Sequence, residues 1–129
     1  MTCTRVEFTL STATQLTDTS HTTRSFPRQG LSYGSDGFIY ETTGRRGKSK
    51  VRRINPVTYE VETEQSIPSS LFGEGSAYYT DSSGEGKIIH ITWTSQRGFI
   101  YSATNIETLK EFTYTTTAPG NDGWGISYD

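Results

Sequence analysis

Gln29-Gly30-Leu31-Ser32-Tyr33, Glu74-Gly75-Ser76-Ala77-Tyr78 and Trp124-Gly125-Ile126-Ser127-Tyr128 render one pattern: a large residue, a glycine, and a tyrosine three positions past the glycine. The glycines stand 45 and 50 residues apart, the period of a propeller blade rather than of a helical repeat. Repeats that stack around one axis bring equivalent positions to the same centre. Gln29, Glu74 and Trp124 are therefore expected in a single site, although they lie far apart in the chain.

The segments between the glycines read as short strands and turns, an all-β pattern with no amphipathic helix of useful length. The first unit runs from about Phe26 to Ile67, with strands expected near 30–33, 37–42, 50–55 and 59–64. Gly34-Ser35-Asp36-Gly37, Gly44-Arg45-Arg46-Gly47 and Asn55-Pro56 break them. The second unit runs from Leu71 to about Thr116, with strands near 75–80, 87–93, 98–103 and 109–114. Its first turn is longer, Asp81-Ser82-Ser83-Gly84-Glu85-Gly86. After the turn at 119–123, residues 124–128 open a third unit. Residues 5–10 alternate as one lone strand would, and the serine- and threonine-rich stretch 11–25 reads as a loop.

The expected organisation is thus one incomplete β-propeller domain over 1–129. It divides into an N-terminal strand and loop (1–25), a first blade (26–70), a second blade (71–118) and the start of a third (119–129). A sandwich of evenly spaced hairpins is the rival architecture, but it does not account for Gly-x-x-Tyr returning at this interval. Two blades with two fragments do not close a ring. Either the sequence is truncated or several copies assemble, and truncation is the simpler reading because open sheet edges are costly. For the isolated chain, self-association through open blade edges is the expectation.

Composition agrees with a β protein and excludes several classes. Of the 129 residues 31% are hydrophobic, thin for a self-sufficient core, while 13 glycines suit many tight turns. A net charge of -2 argues against a global nucleic-acid binder. Cys3 is the only cysteine, so no disulfide forms within the chain. The N-terminal residues show no apolar run of the signal-peptide kind and no stretch is long enough to span a membrane, so the sequence reads as soluble and not visibly exported, and no membrane partner is expected.

Glu74 is the sharpest candidate for chemistry. Glycines flank it in Phe72-Gly73-Glu74-Gly75, so its carboxyl is poorly shielded by neighbours and free to project into a cavity. The plainer alternative is a turn glutamate bonding a backbone amide. Glu41 lies 11 residues after Gly30 and Trp93 lies 18 after Gly75, a difference attributed to the longer turn. That makes Glu41 and Trp93 expected equivalents at one mouth. Trp93, Trp124 and Phe26 around carboxylates would form a dry, electron-rich pocket that suits an ammonium and lifts a carboxyl's pKa. Alternatively the tryptophans merely pack between sheets. Six of the 12 basic residues fall at Arg45, Arg46, Lys48, Lys50, Arg52 and Arg53. Their alternation along a strand reads as a solvated turn flank before a nucleic-acid patch. His21 and His90 have no partner at ligand spacing, so no metal site is expected.

Six motifs in register resemble the plant and bacterial type of glutaminyl-peptide cyclotransferase, over residues 26–129. They are Phe26-Pro27-Arg28-Gln29-Gly30-Leu31, Tyr40-Glu41-Thr42-Thr43-Gly44, Leu71-Phe72-Gly73-Glu74-Gly75, Ile91-Thr92-Trp93, Gly98-Phe99-Ile100-Tyr101 and Asp122-Gly123-Trp124-Gly125-Ile126. The resemblance implies a five-bladed β-propeller that converts N-terminal glutamine of peptides or proteins to pyroglutamate with release of ammonia. It implies Glu74 as the catalytic general acid/base and Phe26, Gln29, Phe72, Trp93 and Trp124 as substrate-binding residues. Glu41 matches a further glutamate of the family pattern. No metal or organic cofactor is implied. This sequence departs from the pattern in an extra residue between Phe26 and Gln29, which a bulge would absorb, and it ends before the family's later pocket residues. The alternative function is a non-catalytic propeller fragment that binds peptides or proteins.

Overall fold

The structure, a computed structural model, describes residues 27–128. The expected strand at 5–10 and Phe26 lie outside the described residues. Eight strands follow in chain order: β1 Arg28–Tyr33, β2 Ile39–Thr43, β3 Lys50–Ile54, β4 Val61–Ser66, β5 Gly73–Thr80, β6 Gly86–Thr92, β7 Arg97–Ser102 and β8 Thr108–Thr113. They form two four-stranded antiparallel meanders, β1-β2-β3-β4 and β5-β6-β7-β8. Beyond a one-turn 3-10 helix at Pro119–Asn121, the described residues hold no helix.

β1 and β5 begin two residues earlier than expected, at Arg28 and Gly73, and two other strands begin two residues later, each for a local reason. Expected at 37–42, β2 begins at Ile39 because Gly37, at φ 86°, still belongs to the turn closed by Gly34 N donating to Phe38 O (2.8 Å). Expected at 59–64, β4 begins at Val61. Asn55 Oδ1 accepts from the Val57 and Thr58 amides, and Tyr59, at φ 60°, donates its N–H to Asn55 O. The β7–β8 turn repeats that closure: Ile106, at φ 58°, donates to Ser102 O. Residues 124–128, expected to open a third unit, form no strand. They touch β5 through one backbone bond, Gly75 N to Trp124 O (2.8 Å).

The sheets face each other across a core of Tyr40, Val51, Ile67, Leu71, Ile88, Phe99, Tyr101, Ala103 and Ile106. In the first sheet, Tyr40 and Thr42 point inward from β2. In the second, Ser76, Tyr78, Ile88 and His90 answer them, as the two-residue pleat requires. Tyr40 stacks on Tyr78 at 5.4 Å and its hydroxyl donates to Ala103 O at 3.0 Å. The strands farthest from the motifs are polar: β4 carries Glu62 and Glu64, and β8 carries Lys110 and Glu111. Charged edges of this kind discourage further strand pairing.

Candidate active site

Each motif-bearing strand carries a β-bulge at its first residues. In β1, Arg28 pairs with Thr43 and Gly30 with Thr42, leaving Gln29 over; in β5, Gly73 pairs with Thr92 and Ser76 with His90, placing Glu74 and Gly75 against one residue. A bulge takes side chains off the regular ladder and re-aims them. Because it occurs in both units, it belongs to the repeat and does not merely absorb the extra residue beside Phe26. Gln29 and Glu74 are equivalent bulged positions. A Cβ on Gly75 would lie 2.6 Å from Trp124 O and 2.9 Å from Gly125 Cα, so glycine is what lets the third copy of the motif approach.

Glu74 is 4% exposed, and no lysine or arginine among the described residues forms an ion pair with it. Burial, and behind it the negative charge of Asp122, pushes its carboxyl up to about 7. Tyr114 stands nearby, its hydroxyl donating to Thr92 O at 2.5 Å; burial and the Glu74 charge both raise its pKa. The carboxyl is thus able to hold or release a proton near neutrality.

The aromatic candidates form a chain. Phe72 meets Trp93 edge-on at 5.7 Å, and Trp93 meets Trp124 at 6.1 Å. The backbone ties the same residues together, with Trp93 N donating to Phe72 O (2.9 Å) and Gly123 N to Trp93 O (2.7 Å). Gln29 reaches this group across Gly44: a Cβ there would lie 2.6 Å from Gln29 Cγ, Phe72 Cε1 and Gly73 O alike. Trp93 Nε1 is shielded and has no hydrogen-bond partner among the described residues, whereas Trp124 is 58% exposed. An adjoining groove of about 430 Å³ is lined by Phe112, Tyr114, Asp122 and Trp124 among others, but not by Glu74 itself. Gln29, Phe72, Trp93 and Trp124 therefore come together, with Glu74 on the strand between them.

Glu41 does not join them. Its side chain leaves β2 on the face opposite Thr42 and is paired with Arg52 (3.2 Å) and Arg28 (3.0 Å). The expected equivalence of Glu41 and Trp93 is also overturned by the ladder. Glu41 stands opposite Leu31, and His90 stands opposite Ser76, the residue matching Leu31. Gly44 N donates to Pro27 O as Trp93 N donates to Phe72 O. The partners of Glu41 are therefore His90 by position, and those of Trp93 are Gly44. The longer turn 81–86 accounts for four of the seven residues of difference, not all seven.

His90 was thus missed as a site neighbour. It is 0% exposed, lies beneath the Gly73–Glu74 backbone and 6.2 Å from the Tyr101 ring, and neither ring nitrogen has a hydrogen-bond partner among the described residues. Burial lowers its pKa to about 4, while the Glu74 backbone pulls weakly the other way without a bond of ordinary geometry. A lone histidine in an apolar strand gives no sequence signal of this. The basic run is largely committed within the molecule: Lys50 and Arg52 pair with Glu64, Arg53 with Glu62 and the Phe38 ring, and Arg46 with Ser70 O.

Comparison with known proteins converges on one group. The family model described as glutamine cyclotransferase matches residues 3–129. The chain is 33% identical over 101 residues to a glutaminyl-peptide cyclotransferase of Arabidopsis thaliana, covering 78% of this chain and 29% of that protein. Its fold is similar to the crystal structure of Myxococcus xanthus glutaminyl cyclase, with a TM-score of 0.59 and 25% identity over 78% of this chain and 38% of that one. The chain thus spans about a third of the length of these relatives. Two bulged inner strands, six motifs in register and a family match over nearly every residue lead to one conclusion: the chain belongs to the glutamine cyclotransferase family.

Proposed function

We propose that this chain carries the catalytic carboxyl and part of the substrate pocket of a glutaminyl-peptide cyclotransferase, with Glu74 as general acid and base. The observation that carries this reading is a buried glutamate with no cationic partner among the described residues, its pKa lifted to about 7, on a bulge that the Trp124 carbonyl holds at the next residue, Gly75. The substrate is a peptide or protein with N-terminal glutamine.

The free α-amine, whose ordinary pKa is about 8, attacks the γ-amide carbon of its own side chain. Glu74 takes the proton released by the attacking nitrogen and delivers it to the departing amide nitrogen. The ring C–N bond forms, the original C–N bond breaks, and ammonia leaves with the proton count balanced. A carboxyl with a pKa near the working pH serves both steps, since it is neither too weak a base nor too weak an acid. The attack is intramolecular, so the remaining task is to hold the folded-back rotamer. Trp93 and Trp124 confine the chain, Gln29 bonds the amide, and the unpartnered Trp93 Nε1–H is a donor for a substrate carbonyl. We read the two sheets, residues 26–70 and 71–118, as successive blades of a five-bladed propeller, and 119–129 as the start of a third.

Ammonia release from a glutamine-initiated dipeptide tests the reading. Glu74→Gln is expected to abolish it while the dipeptide still binds. Turnover surviving in that variant would remove Glu74 from the chemistry. Binding without turnover in the parent chain would favour the peptide-binding alternative.

A further inference from the structure

We propose that Thr42, on the neighbouring sheet, is a positioning residue for Glu74, holding the β5 bulge through a directed chain of hydroxyls. This rests on the catalytic reading of Glu74 but concerns a residue of the other sheet.

The bulge takes Glu74 out of the β5–β6 ladder, so its backbone groups need partners from elsewhere. Thr42 Oγ1, fully buried, lies 2.9 Å from Glu74 O and 3.0 Å from Ser76 Oγ. A carbonyl oxygen only accepts, so the single Thr42 proton goes to Glu74 O. The Ser76 hydroxyl must then donate to Thr42. The order Ser76 to Thr42 to Glu74 carbonyl is forced by counting protons. Gly30 makes room for it: a Cβ there would stand 2.5 Å from Ser76 Oγ and 2.6 Å from Thr42 Oγ1. The same bulge is held at Gly73 N by Ser49 Oγ (3.0 Å), also on the first sheet, and at Gly75 N by Trp124 O (2.8 Å). These three anchors of the bulge come from outside its own sheet, and Thr42 supplies the one that reaches Glu74 itself.

Acting through the backbone, Thr42 sets how far the carboxyl is kept from water. The titratable groups around Glu74 are Asp122, Tyr114 and His90, and none contacts the Thr42 hydroxyl by any bond the structure records. The test is a carbon-detected NMR titration of the Glu74 carboxyl in the whole chain, with its signal assigned by its loss in Glu74→Gln, alongside ammonia release. In Thr42→Val, which keeps the branched shape and loses the hydroxyl, the midpoint is expected to fall by about one pH unit as water reaches the loosened bulge. The kcat is expected to drop about 10- to 100-fold with little change in KM. Thr42→Ser should restore both. A folded Thr42→Val with an unmoved midpoint, or Thr42→Ser behaving like Thr42→Val, overturns the proposal. Should Thr42→Val not fold, Ser76→Ala decides: it breaks only the outer bond, and a smaller fall supports the chain whereas no fall overturns it. If the parent releases no ammonia, the titration still decides the role of Thr42, and the catalytic reading of Glu74 is what fails.

Discussion

Glu41 in the first sheet and Glu74 in the second are buried to nearly the same degree, 3% and 4% exposed, yet they keep opposite company. Glu41 lies between two guanidinium groups, and Arg52 continues the line to Glu64, so charge alternates across the first sheet. At the matching ladder positions the second sheet has Gly73, His90, Phe99 and Glu111, and the inner cations are gone. Its buried carboxylate sits one residue along, on the bulge, with Asp122 as its charged neighbour. Burial alone therefore does not decide what a carboxyl does. With cations beside it a buried carboxyl is a member of a structural ion-pair line; without them, as at Glu74, the proton is held more tightly and becomes usable.

The widest separation is expected from the same substitution at both sites. Glu74→Gln should lower kcat by about 10²- to 10⁴-fold, the scale of a lost general acid–base, measured as ammonia release. Glu41→Gln should leave kcat nearly unchanged in folded material but cost about 1–3 kcal/mol in urea unfolding, because it takes the buried one of Arg52's two carboxylate partners and leaves only the part-exposed Glu64. The half-exposed Arg28 adds little to that cost. Loss of turnover in folded Glu41→Gln would erase the distinction between the two glutamates.

Stability against pH sharpens it further. The folded pKa of Glu74 is raised from 4.5 to about 7, so its contribution is full below 4.5 and is lost as pH rises through 7. His90 runs the other way: with its pKa lowered from 6.5 to about 4, its contribution is full above 6.5 and is lost as pH falls through 4. The two slopes oppose each other between pH 4.5 and 6.5. Glu74→Gln should therefore be more stable than the parent by about 3 kcal/mol at pH 8, and about equal to it at pH 4. Its own stability should climb visibly from pH 4 to 6.5 once the His90 slope stands alone. A variant no more stable than the parent at pH 8 would mean that the carboxylate is not strained by its surroundings.

The motif glycines give a comparison of their own. Gly75→Ala drives a Cβ into the Trp124 carbonyl at 2.6 Å, and should cost about 1–3 kcal/mol. A Cβ on Gly125 would meet nothing within 4 Å, so Gly125→Ala should be close to neutral in the same chain. Equal costs would show that the glycines serve backbone conformation and not the approach of the next copy.

The Gly-x-x-Tyr period made two four-stranded meanders legible, because pleat and turn chemistry are local: each strand was expected within a few residues of its place. Boundaries slipped where a non-glycine residue, Tyr59, adopts a left-handed conformation, which no composition rule marks. The nearness of Gln29 and Trp124 to β5 was legible because repeats superpose, and Glu74 because glycines flank it. Phe72 was named only through the family resemblance, and Trp93 through an equivalence with Glu41 that the ladder overturns. Glu41 was misplaced because turn lengths alone do not give ladder register, and a one-residue change of register moves a side chain to the other face. Thr42 and His90 were invisible for a different reason. Their importance lies in which backbone atoms of another strand they approach, and that is a property of packing.

The smallest expected effect concerns Asp122, the charge that acts on Glu74. Desolvation is the larger cause of its raised pKa and Asp122 the lesser. Asp122→Asn keeps the shape of the 3-10 turn's C-cap and removes only the repulsion, so the acid limb of kcat/KM should move down by about half a pH unit, with the plateau unchanged. The same substitution leaves the Glu41 cluster untouched, so unfolding at pH 8 should shift by a small gain that follows the Glu74 titration and no other. A limb that stays put would assign the whole effect to burial, and would make Asp122 a groove residue, in keeping with its place beside Trp124 and Phe112. A limb that moves by as much as Thr42→Val moves the carboxyl would reverse the ranking, making charge and not shielding the main reason that Glu74 holds its proton near neutrality.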